Sequence, residues 1–312
     1  MSLSPGRLGS PSLGTDLGVS VVADSDRAPK PPARRPSLRR RVIPPLGVLA
    51  LVLAVWYAVS YLLLSPMRRF LLPPPQSVVS GGFLTWSNFH QILTSLGFTA
   101  RTAVLGFFLA AVIGMALAVL MSQAKWLEQA LYPYAVFLQT IPILAVVPVL
   151  GFAFGFNFGS RVLVCVLIAL FPIITNTLFG LLSVDEGLHD LFTLQGVSRA
   201  RRLWALQLPA ALPNIFTGLR ISAGLSVIGA VVGDFFFQQG QPGLGELINL
   251  YRAQLEPDPL YAAVIMASLL GIFAFVLVGF VSQRVIGSWH ESTRVADRRK
   301  PLTPLRTNNK EK

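Results

Sequence analysis

The amino-acid sequence predicts an all-α protein, a polytopic membrane helix bundle with about six transmembrane helices. Three observations favour this class. The chain is 53% hydrophobic and only 13% charged, which is too apolar for an ordinary soluble domain of its length. Six apolar stretches approach the roughly 20 residues that a helix needs to cross a bilayer. A further stretch, residues 185–213, mixes apolar and charged residues and is too polar to cross; we call it the surface segment.

The six predicted spans follow one another along the chain as residues 43–64, 97–121, 131–154, 160–183, 213–236 and 261–286. The first could instead be the apolar region of a secretory signal, because it follows Arg39, Arg40 and Arg41. It is longer than the usual ~7 to 15 residues of such a region and lacks a small-residue cleavage site. The sequence therefore favours a retained span.

Three segments outside the spans carry few apolar residues or many prolines. Residues 1–42 are rich in Pro, Ser, Gly and Arg, and residues 287–312 are polar. Neither segment can bury enough apolar surface to fold alone, so both are predicted to be tails. Residues 65–92 include three consecutive prolines from Pro73, which favours an extended connector lying against the membrane surface.

The distribution of positive charge predicts the orientation. The net charge is +12, from 26 Lys and Arg against 14 Asp and Glu. In a soluble protein this excess would suggest a nucleic-acid partner, but here the basic residues lie in tails and short loops, which is typical of membrane orientation. Both tails and the surface segment are therefore predicted to be cytoplasmic, which leaves five arginines on the other side: Arg68, Arg69, Arg101, Arg161 and Arg252.

Small residues recur at every fourth position of the second predicted span, at Gly106, Ala110, Gly114 and Ala118. This spacing places them in one stripe along a helix. Small side chains let a second helix approach closely, which is how membrane helices commonly pack. We interpret the stripe as a packing surface rather than as part of a pore.

The surface segment carries the signals of two short helices. Asp185 can cap the first helix, Gly196 can end it, and Ser198 can cap a second one. Pro209 and Pro213 then set the entry to the fifth span. We expect these helices to lie at the membrane surface.

At this point the chain resembles the membrane subunits of ABC-type importers. Their loop has an acid and two small residues, then three residues of any kind and Gly, then nine of any kind before Ile-x-Leu-Pro. This sequence meets the spacing with Asp190-Leu191-Phe192, Gly196 and Leu206-Gln207-Leu208-Pro209. It departs from the pattern in Asp190, where Glu is usual, and in Leu191 and Phe192, which replace two alanines.

The resemblance extends over residues 93–286, and it includes Gln139-Thr140-Ile141-Pro142, Phe171-Pro172 and Asn176-Thr177. It is a resemblance in particular to permeases of the nitrate, sulfonate, taurine and bicarbonate type. It implies a multi-pass permease of the bacterial plasma (inner) membrane, in contact with lipid, which forms the path for a small solute in an ATP-driven, binding-protein-dependent importer. The implied partners are a cytoplasmic ABC ATPase, an extracytoplasmic solute-binding protein and a second permease copy, most simply in a homodimer.

The same resemblance implies that the surface segment docks on the ATPase and couples it to the spans. The coupling residues would be Asp190, Leu191, Phe192, Gly196, Leu206, Leu208 and Pro209. An amphipathic helix lying on the membrane with no protein partner would explain the polarity of the segment but not its Gly-to-Leu-Pro spacing.

The sequence predicts no enzymatic chemistry in this chain. It contains no Gly-x-x-x-x-Gly-Lys-Ser/Thr phosphate loop, so ATP and magnesium are expected in the partner ATPase. Its three histidines, His90, His189 and His290, show neither metal-ligand spacing nor a nucleophile-base arrangement. No metal, cofactor or catalytic residue is therefore expected.

Candidate residues of the translocation path are polar groups and prolines within the spans: Gln139, Thr140, Pro142, Pro172, Asn176 and Asp234. An ionisable residue at membrane depth is a functional hypothesis by default. Asp234 therefore also supports an alternative, a secondary transporter driven by an ion gradient. A structural alternative is that Asp234 lies at the external interface, where it is hydrated or caps the turn at residues 240–243. No Lys or Arg deep in a span indicates an anion site, so the sequence does not identify the solute.

Overall fold

The structure is a computed structural model and describes residues 38–287, which contain helices and no strand. Of the described residues, 38–52 belong to one unit and 53–287 to another; every site discussed below lies in the second. The helices are α1 (Leu38–Ala58), α2 (Pro75–Ser77), α3 (Trp86–Gln123), α4 (Lys125–Thr140), α5 (Ile143–Phe154), α6 (Phe158–Leu182), α7 (Glu186–Leu194), α8 (Arg199–Arg202), α9 (Leu208–Phe236), α10 (Leu244–Gln254) and α11 (Pro257–Ile286). A 3₁₀ turn covers Pro66–Leu71, and π-helical segments cover Val59–Leu63, Val78–Leu84 and Leu203–Gln207.

Five helical stretches are long and apolar enough to cross a membrane, and a bent pair of helices supplies a sixth. The predicted all-α membrane bundle is thus confirmed. The third predicted span is not one straight helix, because α4 and α5 meet at 101°. Ile141 and Pro142 are extended at this break, since a residue before proline avoids the helical region and proline cannot donate a backbone hydrogen bond.

The prediction of an extended connector over residues 65–92 is wrong for most of its length. Only short stretches such as Pro74 are extended, while the rest forms the 3₁₀ turn, α2, a π-helical segment and the start of α3. Proline is favourable at the first position of a helix, where its missing N–H is not needed, and Pro75 occupies that position in α2. The predicted tails lie outside the described residues except at their inner edges, where α1 already begins at Leu38.

The core of the bundle forms where α3, α6 and α9 all pack against one another. Gly106 of α3 and Gly229 of α9 both lie so close to Cys165 of α6 that neither could carry a Cβ without a clash. All four residues of the predicted stripe in α3 are buried, which confirms its packing role. Ser222 adds a hydrogen bond from α9 to the Ala169 carbonyl oxygen at 2.7 Å. Close backbone approach thus replaces large side chains in this core.

Candidate functional site

The first part of the surface segment is a helix with a defined start and end. The Asp185 side chain accepts a hydrogen bond from the Gly187 N–H at 2.8 Å, which caps the first turn of α7. At the other end Gly196 has φ +65°, and the Val197 N–H donates to the Phe192 carbonyl oxygen at 3.1 Å. This is the Schellman arrangement, in which glycine adopts the left-handed conformation after the last helical turn. The predicted cap and the predicted stop are both confirmed.

Helix α7 exposes apolar side chains although it is too short to cross a membrane. None of its nine residues is buried. Leu188 and Leu191 lie three residues apart and so share one face of the helix; Leu191 is 48% exposed and Leu194, one turn further on, is 86% exposed. The coupling candidates Asp190 and Leu191 are thus exposed, and Phe192 is half-buried. Helix α7 therefore has an apolar face that the rest of the described chain does not cover.

The second part of the surface segment is not a separate helix. Ser198 caps α8 by accepting from the Arg201 N–H at 3.4 Å, as predicted, but helix then continues without a loop from Arg199 to Phe236. A π-helical segment joins α8 to α9, with the Leu208 N–H donating to the Leu203 carbonyl oxygen. Pro209 follows directly, at the second position of α9, so its missing N–H falls next to the π-helical interruption of the regular hydrogen-bond pattern. The coupling candidates Leu206, Leu208 and Pro209 are half-buried at this junction.

The translocation-path candidates fall into three separate places. Gln139, Thr140 and Pro142 lie at the break between α4 and α5, and all three are exposed in this single chain. Pro172 and Asn176 lie together on α6, where the Asn176 side-chain amide donates to the Pro172 carbonyl oxygen at 2.8 Å. Among the described residues no hydrogen bond joins these two groups to each other or to Asp234.

Asp234 is fully buried, with 0% of its side chain exposed. Its Oδ2 accepts a hydrogen bond from Thr99 Oγ1 of α3 at 2.6 Å, and its Oδ1 lies 3.3 Å from Nη1 of Arg161 on α6. Arg161 is itself only 3% exposed, and its Nη2 lies 3.6 Å from Oε2 of Glu246 on α10. We call these four residues the Arg161–Asp234 cluster.

The cluster also holds the chain that follows α9. Arg161 donates from Nη1 to the Gln241 carbonyl oxygen at 3.0 Å and from Nη2 to the Gln239 carbonyl oxygen at 3.2 Å. The Leu244 N–H donates to Thr99 Oγ1 at 2.7 Å. We call residues 237–254 the return segment, because they lie between α9 and α11. The structural alternative for Asp234 is right only about its neighbourhood. Asp234 is buried rather than hydrated, its side-chain partners are Thr99 and Arg161, and the turn is bound by Arg161 instead.

Arg161 is the residue that the sequence argument missed. It lies inside the fourth predicted span, and a buried carboxylate at membrane depth requires a partner; together these two facts could have identified the pair. Burial raises the pKa of the Glu246 carboxyl above its ordinary value, and the nearby Arg161 guanidinium opposes that rise. Within residues 38–287 no three His, Cys, Asp or Glu side chains are grouped to hold a metal ion.

Comparison with known proteins identifies the family. Residues 106–287 match the family model described as binding-protein-dependent transport system inner membrane component. The chain is 34% identical over 259 residues to the riboflavin transport system permease protein RibX of Chloroflexus aurantiacus, covering 82% of this chain and 94% of that protein. It is 33% identical over 229 residues to the formylaminopyrimidine transport permease protein ThiX of Halalkalibacterium halodurans, covering 73% and 88%.

A further relative and a solved structure extend the comparison. The taurine transport system permease protein TauC of Escherichia coli is 30% identical over 264 residues, covering 81% of this chain and 92% of that protein. The MetNI methionine ABC transporter, solved in inward-facing conformations, has a chain that matches with a TM-score of 0.50 and 16% identity, covering 63% of this chain and 95% of that one. The latter likeness shows a shared fold alone. The family match and the identities to whole permeases show that this chain belongs to the family of inner membrane components of binding-protein-dependent transport systems.

Proposed function

We propose that this permease chain forms the solute path of an ATP-driven importer and that α7 docks in a groove on a separate, cytoplasmic ATPase subunit. In the proposed assembly two copies of the chain pair about a two-fold axis. Both termini and the surface segment face the cytoplasm, and the buried Arg161–Asp234 cluster lies near the outer side of the membrane. A binding protein delivers the solute to that outer side.

The observation that carries the docking proposal is the exposed apolar face of α7. A nine-residue helix spans about 14 Å and cannot cross a bilayer, yet it exposes Leu188, Leu191 and Leu194. An amphipathic helix that lays such a face into a groove on a partner is a common mode of recognition. The capped start and the Schellman end give α7 a fixed length and direction, which a docking element requires.

We assign the choice of solute to the binding protein rather than to this chain. Three relatives at 30 to 34% identity are named as permeases for chemically different solutes, a formylaminopyrimidine, riboflavin and taurine. The polar path candidates in the spans, such as Gln139 and Asn176, are neutral hydrogen-bonding groups that suit many small solutes. The family match does not favour the alternative of an ion-driven secondary transporter.

Substitution of Leu191 tests the docking proposal. Leu191→Glu places a charge in the apolar face of α7, while Leu191→Met keeps the face apolar and serves as the matched control. We expect both variants to reach the membrane, because the spans are unchanged. Leu191→Glu should fail to retain the ATPase subunit when the two are expressed together and purified by a tag on the permease.

The outcome decides between a protein partner and the membrane surface. Retention of the ATPase by Leu191→Met but not by Leu191→Glu supports the docking proposal. If Leu191→Glu retains the ATPase as well as the unmodified chain does, α7 is not the docking element, and its apolar face lies on lipid instead.

A further inference from the structure

We propose that Arg161 and Asp234 are positioning residues that hold the return segment against the bundle and so set the shape of the outer mouth of the solute path. The proposal concerns the end of the molecule opposite the surface segment. That this end forms the mouth of a solute path rests on the proposed function. The fixation of the return segment can be measured on the chain alone.

The hydrogen bonds of the Arg161 guanidinium extend beyond its ion pair. A buried guanidinium has five N–H donors, and one carboxylate can accept only some of them, so its other partners must come from the surrounding chain. Here the Arg161 guanidinium also binds the backbone carbonyl oxygens of Gln239 and Gln241, at 3.2 and 3.0 Å. The planar guanidinium can donate in several fixed directions at once, whereas an ammonium group cannot match that geometry. Arg161 therefore connects α6, α9 and the return segment in one contact.

The return segment fits closely around Asp234. A Cβ on Gly243 would collide with the Asp234 carboxylate, and a Cβ on Gly245 would collide with the Val231 carbonyl oxygen of α9. The segment can approach this closely only because both residues are glycines. Thr99 completes the seat, since its hydroxyl donates to Asp234 and accepts from the Leu244 N–H. Through Thr99, the carboxylate that pairs with Arg161 is thus also linked to the start of α10.

The return segment borders two cavities. Its residues line a cavity of about 680 Å³ together with the first turns of α3, and Glu246 and Asn249 are among the lining residues. Gln239 and Arg161 line a second cavity, of about 360 Å³, together with Arg101 and other residues. Because Glu246 lies 3.6 Å from Arg161, the cluster lies between the two cavities. A shift of the return segment would change the shape of both.

A nitroxide label on α10 measures whether the return segment is held. Leu250 is 46% exposed, so Leu250→Cys offers a labelling site, and the native Cys165 is fully buried. The labelled chain is reconstituted alone in liposomes, and label mobility is read from the electron paramagnetic resonance spectrum. A second label at Leu144→Cys, on the exposed side of α5, is the control outside the cluster.

Two variants separate positioning from stability. Arg161→Lys keeps a positive charge beside Asp234 but cannot hold both carbonyl oxygens. Arg161→Met combined with Asp234→Leu removes both charges, and replacing a buried ion pair by apolar residues of similar volume is often tolerated. Loss of one hydrogen bond to a charged group shifts an equilibrium by roughly tenfold or more. We expect both variants to insert, the label on α10 to become more mobile, and the label on α5 to stay as in the unmodified chain.

Wild-type mobility on α10 in either inserted variant would overturn the proposal, because the return segment would then be held without the cluster. Equal gains in mobility at both labels would also overturn it, since that result indicates general loosening. The measurement needs no ATPase, binding protein or solute. A failure here therefore leaves the importer proposal standing, and a failure of the docking experiment leaves this result intact.

Discussion

Replacing Gly196 tests whether the direction of α7 matters. Gly196 has φ +65°, a conformation that glycine adopts freely and that valine reaches only with strain. The substitution Gly196→Val should therefore weaken the turn that joins α7 to α8. Because this turn lies outside all candidate spans, insertion into the membrane should be unaffected.

The magnitude follows from the surroundings of Gly196. No atom lies within 4 Å of the place that a Cβ would occupy, so a new Cβ meets no steric clash. The cost is then the backbone cost alone, about 1 to 2 kcal/mol for a left-handed residue with a side chain. A penalty of that size lowers the population of the correctly aimed conformer, and hence the apparent affinity for the ATPase, by at most roughly 5- to 30-fold.

The assay compares the affinity for the ATPase among variants that differ only at position 196. Asparagine tolerates the left-handed conformation better than other residues, so Gly196→Asn is the matched control with a polar side chain. ATPase affinity should fall from Gly through Asn to Val, and membrane abundance should stay constant. Wild-type affinity in Gly196→Val, or an equal loss in the Asn variant, would refute the reasoning from backbone conformation.

Three further predictions follow from the fold. A cysteine at Ser198 should resist an impermeant maleimide in intact cells and react after lysis, since the surface segment is proposed to be cytoplasmic. Labelling in intact cells would show that the surface segment lies outside and would contradict the proposed orientation. Native mass spectrometry of the active complex should give two permease chains, and a single chain would exclude the dimer. Gly229→Ala should destabilise the bundle by about 1 to 3 kcal/mol, because the new methyl group overpacks the contact with Cys165. Gly224→Ala on the same helix is the control and should have no such effect, since no atom lies within 4 Å of its new Cβ. A thiol-reactive dye that reports exposure of Cys165 on heating measures the difference, and equal melting of the two variants would contradict the packing argument.

Local signals were sufficient to predict much of the surface segment. Asp185, Gly196 and Ser198 act through hydrogen bonds to residues two to five positions away, so their roles can be inferred from neighbouring sequence alone. The stripe of small residues in α3 was predictable for the same reason, since helical periodicity places them on one face. Six apolar stretches were enough to identify the membrane bundle.

Contacts between distant parts of the chain could not be predicted in this way. Arg161 and Asp234 are 73 residues apart, and Thr99 and Asp234 are 135 apart. Residue spacing gives no information on such pairs, and the positive-inside count treated Arg161 as a loop charge. The bend at Pro142 could not be predicted for another reason, because proline can kink a membrane helix or end it, and the neighbouring helices decide which.

The continuity of α8, the π-helical segment and α9 has a mechanical consequence. The uninterrupted helix of 38 residues is about 57 Å long, with the Arg199 end beside α7 and Asp234 near the other end. A rod of this kind transmits a push or a tilt along its length, whereas a loop would absorb it. This helix runs without a break from the surface segment to the Arg161–Asp234 cluster, and its π turn is the place where the rod can flex.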